Sequence, residues 1–193
     1  MRKLKVHLLV MATCLFCISA HAGYTHYWTW HQKPSDIDLK ACVVDMRRIV
    51  EVRTNLLVGP DGSGSVILDP LHVDLNGVGD DGHEPFVFPG ELGFNFCKTA
   101  GKPYDEVVTA CLLVARDHFP EDILSIDSDG SWSDGDWQEG TKLYTTVLGR
   151  PARNPMSPTA RVVGWPYNLW IFIPLGLGLV VVVLWLPKIL RRL

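Results

Sequence analysis

The sequence predicts an α+β fold, in which an antiparallel or mixed sheet is covered by about three helices and one transmembrane helix follows at the C-terminus. Within residues 23–149 the apolar pattern changes in the order strand, helix, several strands, helix, strand and helix. Strands grouped in this way are typical of an antiparallel or mixed sheet. Residues 165–187 contain no charged side chain, and an apolar run of this length predicts a helix that crosses a bilayer.

The first half of the domain combines one strand, one helix and a hairpin. Residues 23–31 (GYTHYWTWH) are rich in aromatic and β-branched side chains and predict a strand. Ser35 can cap a helix over residues 36–53, where apolar residues recur at spacings of three and four. Residues 55–58 and 65–68 flank the sequence GPDGSG, so they predict a hairpin with a glycine-rich loop.

The second half contains two further helices. Residues 104–118 are apolar on nearly every side of a helix, so this element should be the most buried. Residues 137–148 predict a third helix with Gly149 as its C-cap, and Asp136 with Glu139 predicts a capping box at its start. Further strands are expected at residues 71–75, 85–88, 93–97 and 122–126.

One part of the chain resembles other proteins. The runs GFNFCKTAGKPYDEVVTACLLVARDHF and ILSIDSDGSW are similar to a pattern in small uncharacterised bacterial and phage proteins. The resemblance implies one compact unit over residues 94–132. It implies no activity and no catalytic residue.

The two ends of the chain predict export and membrane anchoring. A basic start and a short apolar run precede the sequence AHA at residues 20–22, which is typical of a secretory signal peptide. Three basic residues follow the apolar C-terminal segment and favour a cytoplasmic tail. We therefore expect a single-pass membrane protein whose N-terminal domain lies outside, on the periplasmic side of a bacterial membrane. The predicted segments are a signal peptide (1–22), an exported domain (23–149), a Pro/Arg linker (150–164), a transmembrane helix (165–187) and a cytoplasmic tail (188–193).

The exported part is acidic. All 21 aspartates and glutamates lie between residues 23 and 161, whereas six of the 18 lysines and arginines lie in the two end segments. The exported part therefore carries a net charge of about −9, although the whole chain is at −3. This charge excludes nucleic acid as an expected partner and favours a basic protein or envelope component.

Three cysteines remain once the signal peptide is removed, namely Cys42, Cys97 and Cys111. An odd number permits at most one internal disulfide, and the pairing is left open by the sequence. Cys42 and Cys111 fall on apolar helix positions, which favours their role as small buried hydrophobic residues.

The stretch SIDSDGSWSDGDW (125–137) raises the question of a calcium site. An EF-hand requires an acid at position 1, glycine at 6 and glutamate at 12, and no register of this stretch meets all three requirements. A turn at Asp129-Gly130 is the simpler interpretation. An irregular calcium site formed by Asp127, Asp129 and Asp134 is the alternative, and no other cofactor is expected.

Two further groups of residues are candidates for an interaction surface. The strand at residues 23–31 places His26, Trp28 and Trp30 on one face, where they would form either core or an exposed contact edge. The loop GDDGHE contributes Asp80, Asp81 and Glu84, which predict either a solvated loop or an acidic contact site. The expected function is a membrane-anchored binding domain with an immunity, inhibitor or accessory role. The alternative is an envelope hydrolase that uses carboxylates with a divalent metal.

Overall fold

The computed structural model describes residues 24–156 with their side chains and the backbone of residues 170–175 and 178–183. The chain divides into two compact units, Met1–Ser157 and Pro158–Leu193. The predicted signal peptide and cytoplasmic tail lie outside the described residues. The described part of the first unit is an α+β domain with two sheets and three α-helices, which confirms the predicted fold class.

The three helices agree closely with the sequence pattern. Helix α1 is Asp36–Glu51, and the Ser35 hydroxyl accepts a hydrogen bond from the Asp38 amide at 3.2 Å, as predicted for the N-cap. Helix α2 is Asp105–His118, and ten of its 14 residues are buried. Helix α3 is Gly135–Leu148, and Gly149 ends it with a left-handed φ of 70°.

The first sheet has three antiparallel strands. Strand β1 (Thr25–Trp30) lies between β6 (Gly93–Lys98) and β7 (Leu124–Ser128). On β1, Trp28 and Trp30 point into the core, and both indole N–H groups donate to the Pro89 carbonyl at 2.8 and 2.9 Å. The alternation predicted for this strand is confirmed, and the buried tryptophans fix which face of the sheet is covered.

The second sheet is built around β4 (Val73–Gly77). This strand pairs antiparallel with β2 (Leu57–Val58), β3 (Ile67–Leu68) and β5 (Phe86–Phe88). The predicted hairpin between residues 55–58 and 65–68 is wrong, because β2 and β3 both pair with β4 rather than with each other. The intervening loop instead closes on itself, since the Gly59 amide donates to the Ser63 carbonyl at 3.0 Å.

Ion pairs connect the residue that follows Gly149, at the end of α3, to the other two helices. The Arg150 guanidinium lies 2.9 Å from Asp45 of α1 and 3.0 Å from Asp117 of α2. Met156 is buried and forms a parallel bridge with Ile126 of β7. Arg150 and Met156, which lie in the predicted Pro/Arg linker (150–164), therefore contact the folded domain.

In the second unit the structure describes an antiparallel pair of strands, β8 (Trp170–Leu175) and β9 (Gly178–Val183). Both lie inside the segment 165–187, and the rest of that segment lies outside the described residues. Among the helices of the described ranges, none is long and apolar enough to cross a membrane. The spanning helix stays a prediction.

Candidate functional site

A fully buried histidine links the first sheet to helix α2. His26 is an inward-facing residue of β1, and its Nε2 lies 2.8 Å from Oδ1 of Asp105, the first residue of α2. The Thr99 hydroxyl donates to the same carboxylate oxygen. The rings of Tyr24 and Trp137 pack edge-on against the imidazole, at centroid distances of 5.1 and 5.2 Å. The His26–Asp105 hydrogen bond thus lies in a buried, aromatic environment, where a low local dielectric strengthens it.

The other imidazole nitrogen meets a serine. Nδ1 of His26 lies 3.2 Å from Oγ of Ser128, the last residue of β7. If Nε2 carries the proton and donates it to Asp105, Nδ1 can accept a hydrogen bond from the Ser128 hydroxyl. Serine, histidine and carboxylate then form a hydrogen-bonded chain in that order. The Ser128 hydroxyl also lies 3.3 Å from the Thr25 carbonyl and 3.3 Å from the Gly130 amide. These bonds equally explain the group as a structural network.

A cleft of about 680 Å³ reaches Asp105. It is bounded by the end of α1, the chain that enters α2 and one face of α3. Neither His26 nor Ser128 lines it. Charged residues of both signs do so, namely the acids Asp105, Glu106, Asp136 and Glu139 and the cations Arg53, Lys102 and Lys142.

One carboxylate of the cleft has a perturbed pKa. Burial raises the pKa of Asp136, and the negative charge of Asp105 raises it further, while His26 acts in the opposite direction. The second oxygen of Asp105, Oδ2, is buried and has no hydrogen-bond partner among the residues that the structure describes. Titratable groups perturbed by burial and by a close charge are a recurrent feature of functional sites.

The raised pKa of Asp136 predicts a change in stability on replacement. Because the folded state disfavours the ionised carboxylate, stability is lost as the pH rises from the unfolded value of about 3.9 through the folded pKa. Asp136→Asn removes this loss, so we expect a higher Tm at neutral pH and no difference below about pH 4. Differential scanning calorimetry across this pH range measures the effect.

Asp134 is the matched control, two residues away at the start of the same helix. Its carboxylate accepts hydrogen bonds from the Ser131 amide and hydroxyl, and these bonds lower its pKa. Asp134→Asn should therefore lower the Tm at neutral pH, and the difference should shrink on acidification. Equal responses of the two variants would contradict the assignment of Asp136 to a carboxylate-rich cleft.

An exposed aromatic surface lies on the outer side of the first sheet. The Phe94 ring is 5.8 Å from Tyr27 and 6.1 Å from Phe96, centroid to centroid. Phe94 and Phe96 are 64% and 53% exposed, and Leu92 beside them is 67% exposed. We call Tyr27, Leu92, Phe94 and Phe96 the aromatic face.

Acidic residues border the aromatic face. Asp127 lies opposite Tyr27 in the strand register and therefore on the same side of the sheet. The Tyr27 hydroxyl donates to Asp129 at 2.8 Å. Lys98 is the basic residue at the far end of β6. Acidic side chains outnumber basic ones at this border.

The aspartates predicted to bind calcium each have partners within the chain. Each carboxylate accepts a hydrogen bond: Asp127 from the Ser128 amide at 2.9 Å, Asp129 from the Tyr27 hydroxyl, and Asp134 from the Ser131 amide. Within the described ranges, no group of three His, Cys, Asp or Glu side chains is arranged to hold a metal ion. The calcium site stays a prediction. The predicted capping box is wrong, because Asp134 rather than Asp136 is the N-cap and its carboxylate bonds back to Ser131.

The residues predicted as an interaction surface separate into two groups. His26, Trp28 and Trp30 are at most 3% exposed, which excludes them from an exposed contact edge and places them in the core. Asp80 and Asp81 are exposed on a 3-10 turn. Glu84 is half-buried and its carboxylate accepts a hydrogen bond from the Lys98 amide at 3.0 Å, so it joins the loop before β5 to strand β6.

Asp105, Ser128 and the two exposed phenylalanines were not predicted as site residues. The Phe-Asn-Phe alternation of β6 was the available signal, but it does not say which side of the strand faces water. No protein-family model matches this chain, and no curated protein or solved structure shows significant similarity to it.

Proposed function

We propose that this chain is a membrane-tethered, exported binding domain that docks a partner protein on the aromatic face. The signal-peptide pattern and the uncharged segment 165–187 support export and tethering. The observation that carries the proposal of binding is the exposure of Phe94 and Phe96 beside Tyr27. Contiguous exposed apolar side chains on a soluble domain mark interaction surfaces, and aromatic residues dominate the energy of such contacts.

The charge around the aromatic face indicates the kind of partner. Asp127 and Asp129 border the aromatic side chains, and the exported part as a whole is acidic. A protein with an apolar patch edged by lysines and arginines would complement this surface. A second copy of the same chain would bring like charges together at the border, which disfavours self-association through this face.

The test is site-specific photo-crosslinking from membranes. A benzophenone amino acid at position 96 should capture one specific neighbour, whereas the same group at Ile37, which is 80% exposed on α1, should not. The captured protein is then purified for a binding assay in solution. Crosslinking of only the same chain, or equal capture from both positions, would contradict the proposal.

The Phe94→Ser, Phe96→Ser double variant should weaken binding of that purified partner by more than about 2 kcal/mol, since two central aromatic contacts are lost. Both rings are exposed, so the Tm should stay near that of the wild type. Ile37→Ser with Val44→Ser is the matched control, because it removes two exposed apolar residues from α1. The affinity should also fall with salt if the acidic border contributes. If the wild type binds an envelope polysaccharide and the double variant does not, the proposal of a protein partner is wrong.

A hydrolase is the second candidate, and the alignment of Ser128, His26 and Asp105 is the observation that favours it. A serine-directed fluorophosphonate distinguishes the two functions. Labelling of Ser128 that requires His26 would favour the hydrolase. If Ser128 stays unlabelled in the folded wild-type domain, its alignment with His26 and Asp105 is a structural hydrogen-bond network.

A further inference from the structure

Asp105 has one satisfied and one unsatisfied carboxylate oxygen. Oδ1 is shared by His26 and Thr99, whereas Oδ2 has no partner in the described part of the chain. The residue is only 3% exposed, so water gives it little compensation. Buried polar atoms nearly always have a hydrogen-bond partner, and an unsatisfied one has a cost in free energy. This oxygen belongs to a residue that lines the cleft, where a ligand could supply the missing donor.

A second carboxylate faces the same cleft. Asp136 comes from α3, whereas Asp105 comes from α2, so two helices bring their acidic first turns to one cavity. The two carboxylates repel each other, as the raised pKa of Asp136 reflects after the larger effect of burial. A group with positive charge and several N–H donors would relieve both the repulsion and the unsatisfied oxygen.

Cations lie on the wall of the same cleft. The Arg53 guanidinium is already bound to Glu106 at 2.7 Å, and Lys102 donates to the Asp80 carbonyl at 2.9 Å. Lys142 lines the cleft from α3, one turn after Glu139. The cavity volume of about 680 Å³ is in the range of small-molecule sites. Its charges would match a ligand with a cationic end at the carboxylates and an anionic end near the lysines.

We propose that this cleft binds an ammonium or guanidinium group, with Asp105 and Asp136 as its acceptors. The group belongs either to a small zwitterion, whose carboxylate meets Lys102 or Lys142, or to a lysine or arginine side chain of a protein. The cleft is formed by residues other than the aromatic face. The proposal therefore stands independently of docking on that face.

The proposal is tested by isothermal titration calorimetry with three probes. The sample is the intact chain in detergent, with its exported domain folded. The probes are L-arginine, agmatine and N-acetyl-arginine amide. A much higher affinity for L-arginine than for agmatine or the amide identifies a zwitterion site. Binding of the amide as tight as L-arginine, or tighter, identifies a protein side chain as the natural occupant. Absence of binding by all three up to about 10 mM, or binding of acetate in their place, would overturn the proposal.

Asp136→Asn should weaken the best probe about tenfold or more, because one charged acceptor is lost. Glu91→Gln, which removes the same charge outside the cleft, should leave the affinity unchanged. Asp105→Asn also disturbs His26 and is used only if the variant keeps its circular dichroism spectrum. The Phe94→Ser, Phe96→Ser variant should bind the probe normally. This last result separates failure of the cleft from failure of the aromatic face. Unchanged affinity in Asp136→Asn would contradict the assignment.

Discussion

Replacement of His26 by alanine is expected to destabilise the domain by about 3–5 kcal/mol, because it leaves the buried Asp105 carboxylate without its imidazole partner. The imidazole is fully buried and lies 2.8 Å from that carboxylate. Its removal also opens a cavity between the rings of Tyr24 and Trp137. Urea denaturation should show a lower midpoint with an unchanged m-value.

Two variants make this result specific to the buried pair. His31→Ala removes an exposed histidine next to the same strand and should change stability by no more than about 0.5 kcal/mol. Asp105→Asn added to His26→Ala should recover part of the loss, since the unpaired charge is removed. A cost below about 1 kcal/mol for His26→Ala would contradict the buried His26–Asp105 contact described above. That outcome would also weaken the inference of a cation site in the cleft.

Gly140→Ala is expected to destabilise the domain by about 3 kcal/mol, near the upper end for overpacked cores. A Cβ at this position would lie 2.1 Å from the Thr109 hydroxyl and 3.0 Å from the Ala110 amide. The hydroxyl is held by the Asp105 carbonyl at 2.8 Å, and the amide belongs to the backbone of α2. The Thr109 Cβ, which would lie 2.7 Å away, and the Ala110 amide are fixed to the backbone of α2, so they move aside only if the two helices separate. The higher helix propensity of alanine, about 1 kcal/mol, does not offset this clash.

Gly135→Ala, at the start of the same helix, is the matched control. A Cβ there meets no atom within 4 Å, so the substitution should be neutral or slightly stabilising. Chemical denaturation of the two variants should therefore give shifts of opposite sign or very different size. Equal stabilisation by both substitutions would mean that α2 and α3 are not in the close contact described above.

The helices, and the set of residues that share one face of β1, could be predicted because their signals are local. Ser35 is followed by an apolar stripe at helical spacing, and Gly149 ends the third helix, as expected of a glycine that follows the last apolar turn. The alternation along β1 places His26, Trp28 and Trp30 on one face, but it leaves open whether that face is core or an exposed edge. Each of these features depends only on neighbours along the chain.

The remaining features depend on contacts between distant segments. The local pattern predicts a hairpin between the strands at Leu57 and Ile67, but both strands pair with β4 instead. Phe94 and Phe96 face water because Cys97, on the opposite side of the strand, is in the core. The Asp105–Asp136 cleft joins residues 31 positions apart in the sequence. No local pattern brings such residues together.

The cysteines give the domain internal probes of its own motion. Cys42 lies in α1, Cys97 in β6 and Cys111 in α2, and all three are free, buried thiols. Burial raises the pKa of each thiol, so none reacts readily while its segment is closed. The rate at which a thiol reagent modifies each cysteine is therefore set by the opening of its own element. Without any added label, the order of modification would rank the sheet and the two helices by local stability.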